Sequence, residues 1–344
     1  MPSSAAVRVL PFQPHCFAFG GFEVQMLSAL DAARESGADV APLNPWERDD
    51  SFSVLHMWGL EAAHHAAAYW AHQAGKAVVF SALFPYPSPL RRIRHWGSTL
   101  LGRERMSTGM IPWISALTVV NSLQAKYATD TLGAPAGKIY VIPNIIEDQF
   151  FDRAAGIRSP PVPIERYVLC TGNICRRKDQ LTLVRACRRL GVPLLLVGTV
   201  LTGEEAYGQA VADAMLGQPD MHWIRGLPAG SPELAATYSG AAVFALPSHR
   251  EQQPISALEA AAAGVPLVLG DRSYARQEFY ANAALASPGS EVSVAAALRK
   301  ALDRPDRHRP EREVLDRCRR STVGAAYARM YAEVIDRQAM EKAV

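Results

Sequence analysis

The sequence predicts an α/β protein of two doubly wound, Rossmann-like domains, each a parallel sheet with helices on both faces. Three observations predict it. The chain has 344 residues, more than a single core usually organises and enough for two domains. Short apolar runs alternate with helical patterns through the first 150 residues, the mark of strand and crossover helix repeated. After the proline-rich stretch SPPVPIE, Ser159 to Glu165, the alternation starts again, and prolines at that density disfavour both helix and central strand.

In order, the strand candidates of the first half are VRVLPF, ADVAPL, SVLHMW, KAVVFSA, ALTVVN and IYVIPN. Between them, Phe22 to Arg34 and Glu61 to Gln73 carry apolar residues at helical spacing. In the second half the strands are RYVLCTG, VPLLLVG, MHWIRG, AVFALPS and VPLVLGD, each followed by a helical segment. The final segment, Glu311 to Lys342, has no strand after it and places Tyr327, Met330, Tyr331 and Val334 on one stripe, so it needs a surface to pack on. The expected division is 1–158, 159–310 and a C-terminal helical segment, 311–344, that packs back on the first domain.

Composition narrows the function. Apolar residues make up 49% and charged residues 20%, which excludes a disordered chain. Lys and Arg number 36 against 33 Asp and Glu, a net charge of +3, too small for a protein that binds nucleic acid by neutralising phosphates. The five cysteines are scattered without metal-site spacing, which fits a reducing cytosol. MPSSAAVRVLPF has neither a basic leader nor a long apolar core, and no apolar run approaches about 18 residues. The expectation is a cytoplasmic protein, neither exported nor membrane-spanning. One stretch, 87–106, interleaves Arg91, Arg92, Arg94, Arg103 and Arg105 with Leu90, Ile93, Trp96, Leu100 and Leu101. It is either a solvated helix or a peripheral contact with anionic lipid at the inner face of the membrane.

In doubly wound sheets ligands bind beyond the carboxyl ends of the strands, where strand order reverses, so the loops after the strands carry the chemistry. The segment Ser248 to Glu259, SHREQQPISALE, runs from the strand AVFALP into an alanine-rich helix. It sets Glu251 in a loop and Glu259 about one turn into the helix, with Pro254 suited to the first helical turn. Free amides at that helix start would hold diphosphate or sugar oxygens, and Glu259 could accept hydrogen bonds from paired hydroxyls such as those of ribose. Taken alone, two glutamates at this spacing also fit solvated surface charge.

In its context the segment resembles glycosyltransferase family 4, the retaining GT-B enzymes with an E-x(7)-E motif, an alanine-rich helix and G-x-P-[VL]-[VL]. Here these are Glu251, Glu259 and GVPLVLGD, Gly264 to Asp271, with Glu278 downstream. The resemblance implies two Rossmann-like domains facing across a cleft and a nucleotide diphosphate sugar as donor and co-substrate. It implies that Glu251 contacts the donor sugar, Glu259 the ribose, and the backbone around Gln252, Gln253, Pro254 and Ile255 the sugar hydroxyls. The strand-end segment CTGNICRRKDQ is also similar, with Lys178 at the lysine position, where an ammonium balances the charge of a departing diphosphate. Asn173 stands at the family's arginine position, leaving Arg176 or Arg177 to supply a second cation. Arg225 and Gly226 in HWIRGLP resemble the element beside the nucleobase. Gly20 and Gly21, before Glu23, match a G-G-x-E element that faces the donor phosphates, and Ser122 and Asn144 occupy family positions where N-G-V-D becomes Asn144-Ile145-Ile146-Glu147. After KAVVFSA, where many members carry a histidine, the chain reads Ser81-Ala82-Leu83-Phe84. His15 and His56 are the nearest substitutes, and each equally fits a structural role.

The resemblance implies retaining transfer of a hexose-type sugar to a glycan, lipid-linked or small-molecule acceptor, for polysaccharide biosynthesis or related chemistry. No cofactor is implied, and no Asp-x-Asp metal motif occurs. A nucleotide-sugar epimerase of the same fold and an inactive nucleotide-sugar-binding protein are the competing readings. No G-x-G-x-x-G opens either domain as a dehydrogenase would require.

Overall fold

A computed structural model describes residues 6–16, 20–48, 50–84, 97, 108–151 and 162–343. The basic stretch 87–106, apart from Gly97, and residues 159–161 of the proline-rich segment lie outside them. The chain forms two compact units, one of 1–145 with 317–344 and one of 146–316.

The first unit holds β1 (Ala6–Pro11), α1 (Gly21–Glu35), β2 (Asp39–Pro42), β3 (Val54–Trp58), α2 (His65–Gln73), β4 (Ala77–Ser81), β5 (Ala116–Val119), α3 (Ser122–Asp130) and β6 (Ile139–Val141). Its strands form one sheet in the order β2-β1-β3-β4-β5-β6, with every pairing parallel. Because β3, β4 and β5 are buried at every position, they read in the sequence as near-continuous apolar runs rather than alternating ones. Glu61–Gln73, expected as one helix, begins with a 3₁₀ turn at Ala62–His64 before α2.

The second unit holds β7 (Tyr167–Thr171), α4 (Gln180–Leu190), β8 (Leu194–Val197), α5 (Glu205–Met215), β9 (Met221–Ile224), α6 (Pro232–Ser239), β10 (Ala241–Leu246), α7 (Ile255–Ala262), β11 (Leu267–Gly270), β12 (Ala284–Ala286) and α8 (Glu291–Asp303). Its parallel sheet has the order β12-β11-β10-β7-β8-β9. Counted from its own first strand this is the doubly wound order in which strand direction of travel reverses between the first and fourth strands, here between β7 and β10. The loops that follow those two strands are the ones carrying Lys178 and Glu251. β12 is absent from the strands read in the sequence, since three residues of Ala-Leu-Ala give no period to detect.

The last helix, α9 (Arg320–Ala343), belongs to the first unit. Val323, Tyr327, Met330, Tyr331 and Val334 join its core, which accounts for the apolar stripe. A Cβ on Gly324 would overlap the backbone carbonyl of Ala32 in α1, so the two helices touch backbone to backbone. Arg320 closes one end of the pair through bidentate contacts with Glu35 at 2.8 and 2.9 Å. Among the described residues no helix is long and apolar enough to cross a membrane.

Gly324→Val tests this packing. The carbonyl of Ala32 cannot rotate away as a side chain would, so chemical denaturation should show a loss of about 1–3 kcal/mol. An unchanged midpoint and slope would mean that α9 is not closely seated on α1.

Candidate functional site

In the second unit the end of β7 and the end of β10 converge. β7 leads through Gly172 and Asn173 into a 3₁₀ turn, Arg176–Lys178, and then α4. Gly172 has φ +116°, a value that favours glycine, and a Cβ there would overlap the Lys178 ammonium. The lysine therefore lies folded back over the strand end. A Cβ on Gly198, at the end of β8, would overlap the carbonyl of Gly172, so this loop is held from the other side too. Gln180 staples it internally: its Nε2 donates to the Asn173 carbonyl at 2.9 Å and its Oε1 accepts from the Cys175 amide at 3.3 Å.

Glu251, on the loop after β10, meets this turn. Its Oε1 lies 2.5 Å from Arg177 Nη1, 4.0 Å from Lys178 Nζ and 3.1 Å from Ser248 Oγ, which donates to it. Arg177 also donates to the Arg250 carbonyl at 2.7 Å, and the Arg177 carbonyl accepts from the His249 amide at 2.9 Å. Burial works against the charge of Arg177, but the Glu251 carboxylate outweighs it and raises the guanidinium pKa. Arg176 turns elsewhere, 3.6 Å from Glu204 and 5.6 Å from the centre of the Tyr207 ring. Of the two arginines open in the sequence, Arg177 is thus the one beside Lys178. Asn173 is exposed, and its backbone carbonyl serves the loop.

Asp179 follows Lys178 with φ +62°. Its Oδ1 accepts from Thr182 Oγ1 at 2.7 Å, and its Oδ2 accepts from the Gly289 amide at 2.6 Å, with His249 Nε2 3.7 Å away. One carboxylate thereby ties the β7, β10 and β12 loops together, a role with no local sequence signal.

Pro254 stands at the N-cap of α7 rather than inside its first turn, and the helix begins at Ile255. The reason is its ψ of 117°, extended backbone. Pro254 gives this helix no side-chain cap; the Ala257 and Leu258 amides turn back to its carbonyl at 3.1 and 3.2 Å, and a helix start without a side-chain cap suits an anionic acceptor at the amides ahead of them. Gln253 is buried and its Nε2 donates to Gln277 Oε1 at 3.3 Å, while Gln277 Nε2 donates to the carbonyls of Gln252 and Tyr274, each at 2.7 Å. Gln253 therefore braces the loop with its side chain.

Glu259 lies within α7. Tyr238 donates to its Oε2 at 2.6 Å, and Thr171 Oγ1 lies 2.6 Å from the same phenol oxygen. Burial pushes the carboxyl up to about 7, against the Tyr238 hydrogen bond and the charge of Lys178, with Glu147 adding to the rise. Arg225 and Gly226 follow β9, where the Arg225 guanidinium stacks 3.7 Å above the Trp223 ring and makes no contact with the Lys178 and Glu251 group. Among the described residues no three His, Cys, Asp or Glu side chains are placed to hold a metal ion.

In the first unit Gly20 caps α1 with extended backbone, and its amide donates to Glu23 Oε2 at 2.8 Å. The glutamate of the G-G-x-E element thus serves the helix start itself. His56 is fully buried, with Nδ1 2.7 Å from the Tyr331 hydroxyl and Nε2 2.8 Å from Ser81 Oγ. Burial lowers its pKa to about 3, so it is a neutral core residue. Ser81 also meets Thr118 Oγ1 at 2.6 Å, and a polar network reaching α9 occupies the place after β4.

A family model described as glycosyl transferases group 1 matches residues 158–317. No curated protein sequence matches the chain. Among solved structures, a glycosyltransferase from Rickettsia africae is similar at 11% identity and TM-score 0.69, covering 97% of this chain and 99% of that one. The Anabaena protein HepE in complex with UDP is similar at 15% identity and TM-score 0.65, covering 98% and 99%. A sucrose-phosphate synthase from Thermosynechococcus elongatus is similar at 15% identity and TM-score 0.66, covering 99% and 97%. At these identities the likeness is one of fold, and the fold is GT-B. The group 1 match covers most of the second unit.

The Glu259 carboxyl gives a test of the site that needs no ligand. Its folded value of about 7 lies above the roughly 4.3 of an unfolded glutamate. The folded state therefore holds the proton more tightly, and its contribution is complete below about pH 4 and lost as pH rises through 7. Glu259→Gln removes that loss. Its melting temperature relative to the parent should become more favourable from pH 5 to pH 8, and a pH-independent difference would disprove the raised carboxyl.

Proposed function

We propose that this chain moves a hexose-type sugar from a nucleoside diphosphate sugar to a hydroxyl of a glycan, lipid-linked or small-molecule acceptor, with retention at the anomeric carbon. The observation that carries the reading is the meeting of Lys178, Arg177 and Glu251 at the switch point of the second sheet. Two cations and a carboxylate there suit a diphosphate that leaves and a sugar that stays. The bond from the anomeric carbon to the diphosphate oxygen breaks, and its electron pair goes to the diphosphate. The acceptor oxygen bonds to the same carbon from the same face, and its proton passes to the leaving phosphate. Lys178 and Arg177 take up the developing charge, so this reading needs no divalent ion. The open start of α7 and the backbone from Gln252 to Ile255 hold sugar or phosphate oxygens, and Glu259 takes the ribose hydroxyls. The retaining course rests on the likeness of the Glu251 and Glu259 pair to the retaining enzymes.

Lys178→Ala should lower kcat by about 100-fold, the cost of losing one preorganised electrostatic donor, while acceptor KM stays near the parent value. A coupled assay of nucleoside diphosphate release, using the nucleotide sugar that gives the largest thermal shift in a panel, measures both. An unchanged kcat would pass the role to Arg177.

The two glutamates should separate in binding. Glu259→Ala should weaken free nucleoside diphosphate and donor alike, because ribose is present in both. Glu251→Ala should spare the free nucleotide, since it releases two cations and removes a contact only the sugar makes. Calorimetry with both ligands decides this, and equal nucleotide losses in the two variants would refute the assignment.

A further inference from the structure

The two oxygens of Glu259 have different surroundings. Oε2 receives the Tyr238 hydroxyl proton, and no described residue donates to Oε1. A phenol has one proton to give, so with it directed at Glu259 the Tyr238 oxygen must accept from Thr171. The chain of donation therefore runs from Thr171 at the end of β7, through Tyr238 at the end of α6, to Glu259 in α7. Tyr238 is fully buried. Phe150 stands edge-on to its ring at 5.4 Å and Phe244 packs at 5.9 Å, so the ring and its hydroxyl oxygen are held in place, and the carboxylate, which can only accept, takes the proton.

We propose that Tyr238, backed by Thr171, is a positioning residue of the nucleotide site: it pins Glu259 Oε2 and leaves Oε1 as the acceptor presented to the ribose hydroxyls. The inference rests on the reading that Glu259 binds ribose. Two consequences follow from the direction of the hydrogen bonds. A donor to a carboxylate stabilises its charged form, and only the charged form offers Oε1 purely as an acceptor. The charged groups facing Glu259 are Glu147, which opposes ionisation, and Lys178, which favours it. Burial, reinforced by Glu259, holds the Tyr238 phenol far above its usual range, so it remains a donor throughout neutral and mildly alkaline solution.

Tyr238→Phe removes the donor and keeps the ring. The carboxyl should then ionise only at higher pH, and nucleotide affinity at neutral pH should fall with the ionised fraction. Titration calorimetry with uridine, guanosine and adenosine diphosphates identifies the tightest probe. That probe is then measured at pH 6.5, 7.5 and 9 against parent and variant. Ionisation of the diphosphate is common to both proteins and cancels in the ratio of their dissociation constants. The ratio should be about tenfold at pH 6.5, one pKa unit's worth, and should shrink to near twofold at pH 9. Thr171→Val, which removes the backing donor without touching the carboxylate, should show a smaller loss with the same pH trend and decides the matter if Tyr238→Phe does not fold. A ratio that stays constant with pH in both variants overturns the proposal, because lost packing has no reason to titrate. Glu259→Gln separates the two levels. If it leaves nucleotide affinity unchanged, the ribose reading fails and this inference with it. If it weakens the nucleotide while the Tyr238 and Thr171 variants show no pH trend, only the positioning role fails.

Discussion

The second unit is organised around one electrostatic constraint: Arg177 and Lys178 are adjacent in a tight turn, and Glu251 is the carboxylate that meets both. Two neighbouring cations over the end of a buried sheet repel each other and lose hydration, and a single shared carboxylate relieves that only if its position is fixed. Much of the surrounding structure fixes it. Gly172 and Gly198 allow the backbone to sit beneath the ammonium, Gln180 closes the turn, and the His249 amide joins the two loops. The arrangement leaves the group with one more positive than negative charge, an unbalanced state that favours an anionic ligand.

The two glutamates of the motif are kept in contrasting environments. Glu251 is held by cations and a serine hydroxyl. Glu259 is held by a phenol in a desolvated setting, which moves its ionisation toward neutrality. Carboxylates kept in contrasting environments commonly serve different tasks within one site. Under the proposed function, the division is charge management at the reacting end and hydroxyl recognition at the nucleoside end.

Much of the fold was legible because strands buried on both faces, such as β4, β7 and β8, write themselves as near-continuous apolar runs, and among the described residues one strand went unread. The exception, Ala284–Ala286, is an edge strand defined by its neighbour β11 rather than by its own residues. Site legibility followed the same rule of locality. Glu251, Glu259 and Lys178 sit in short motifs with their helix starts beside them. Tyr238 and Thr171 did not show, since their contacts span 21 and 67 positions in the chain. The choice between Arg176 and Arg177 was equally unreadable, because it turns on which way two adjacent side chains leave one turn. Asp179 drew no reading from the sequence, because its partners Gly289 and His249 lie far along the chain.

The placement of α9 has a consequence for how the chain is made. The core of the first unit includes Tyr327, Met330 and Tyr331, residues synthesised after all of 146–316. During translation the second unit can emerge and close as a complete body, as domains generally do. The first unit must wait, its α1 backbone uncovered along the strip that Gly324 will occupy. Until α9 leaves the ribosome, that strip is an exposed apolar surface next to a parallel sheet. The step that closes the first unit is therefore the return of a helix made after the second unit to one made before it.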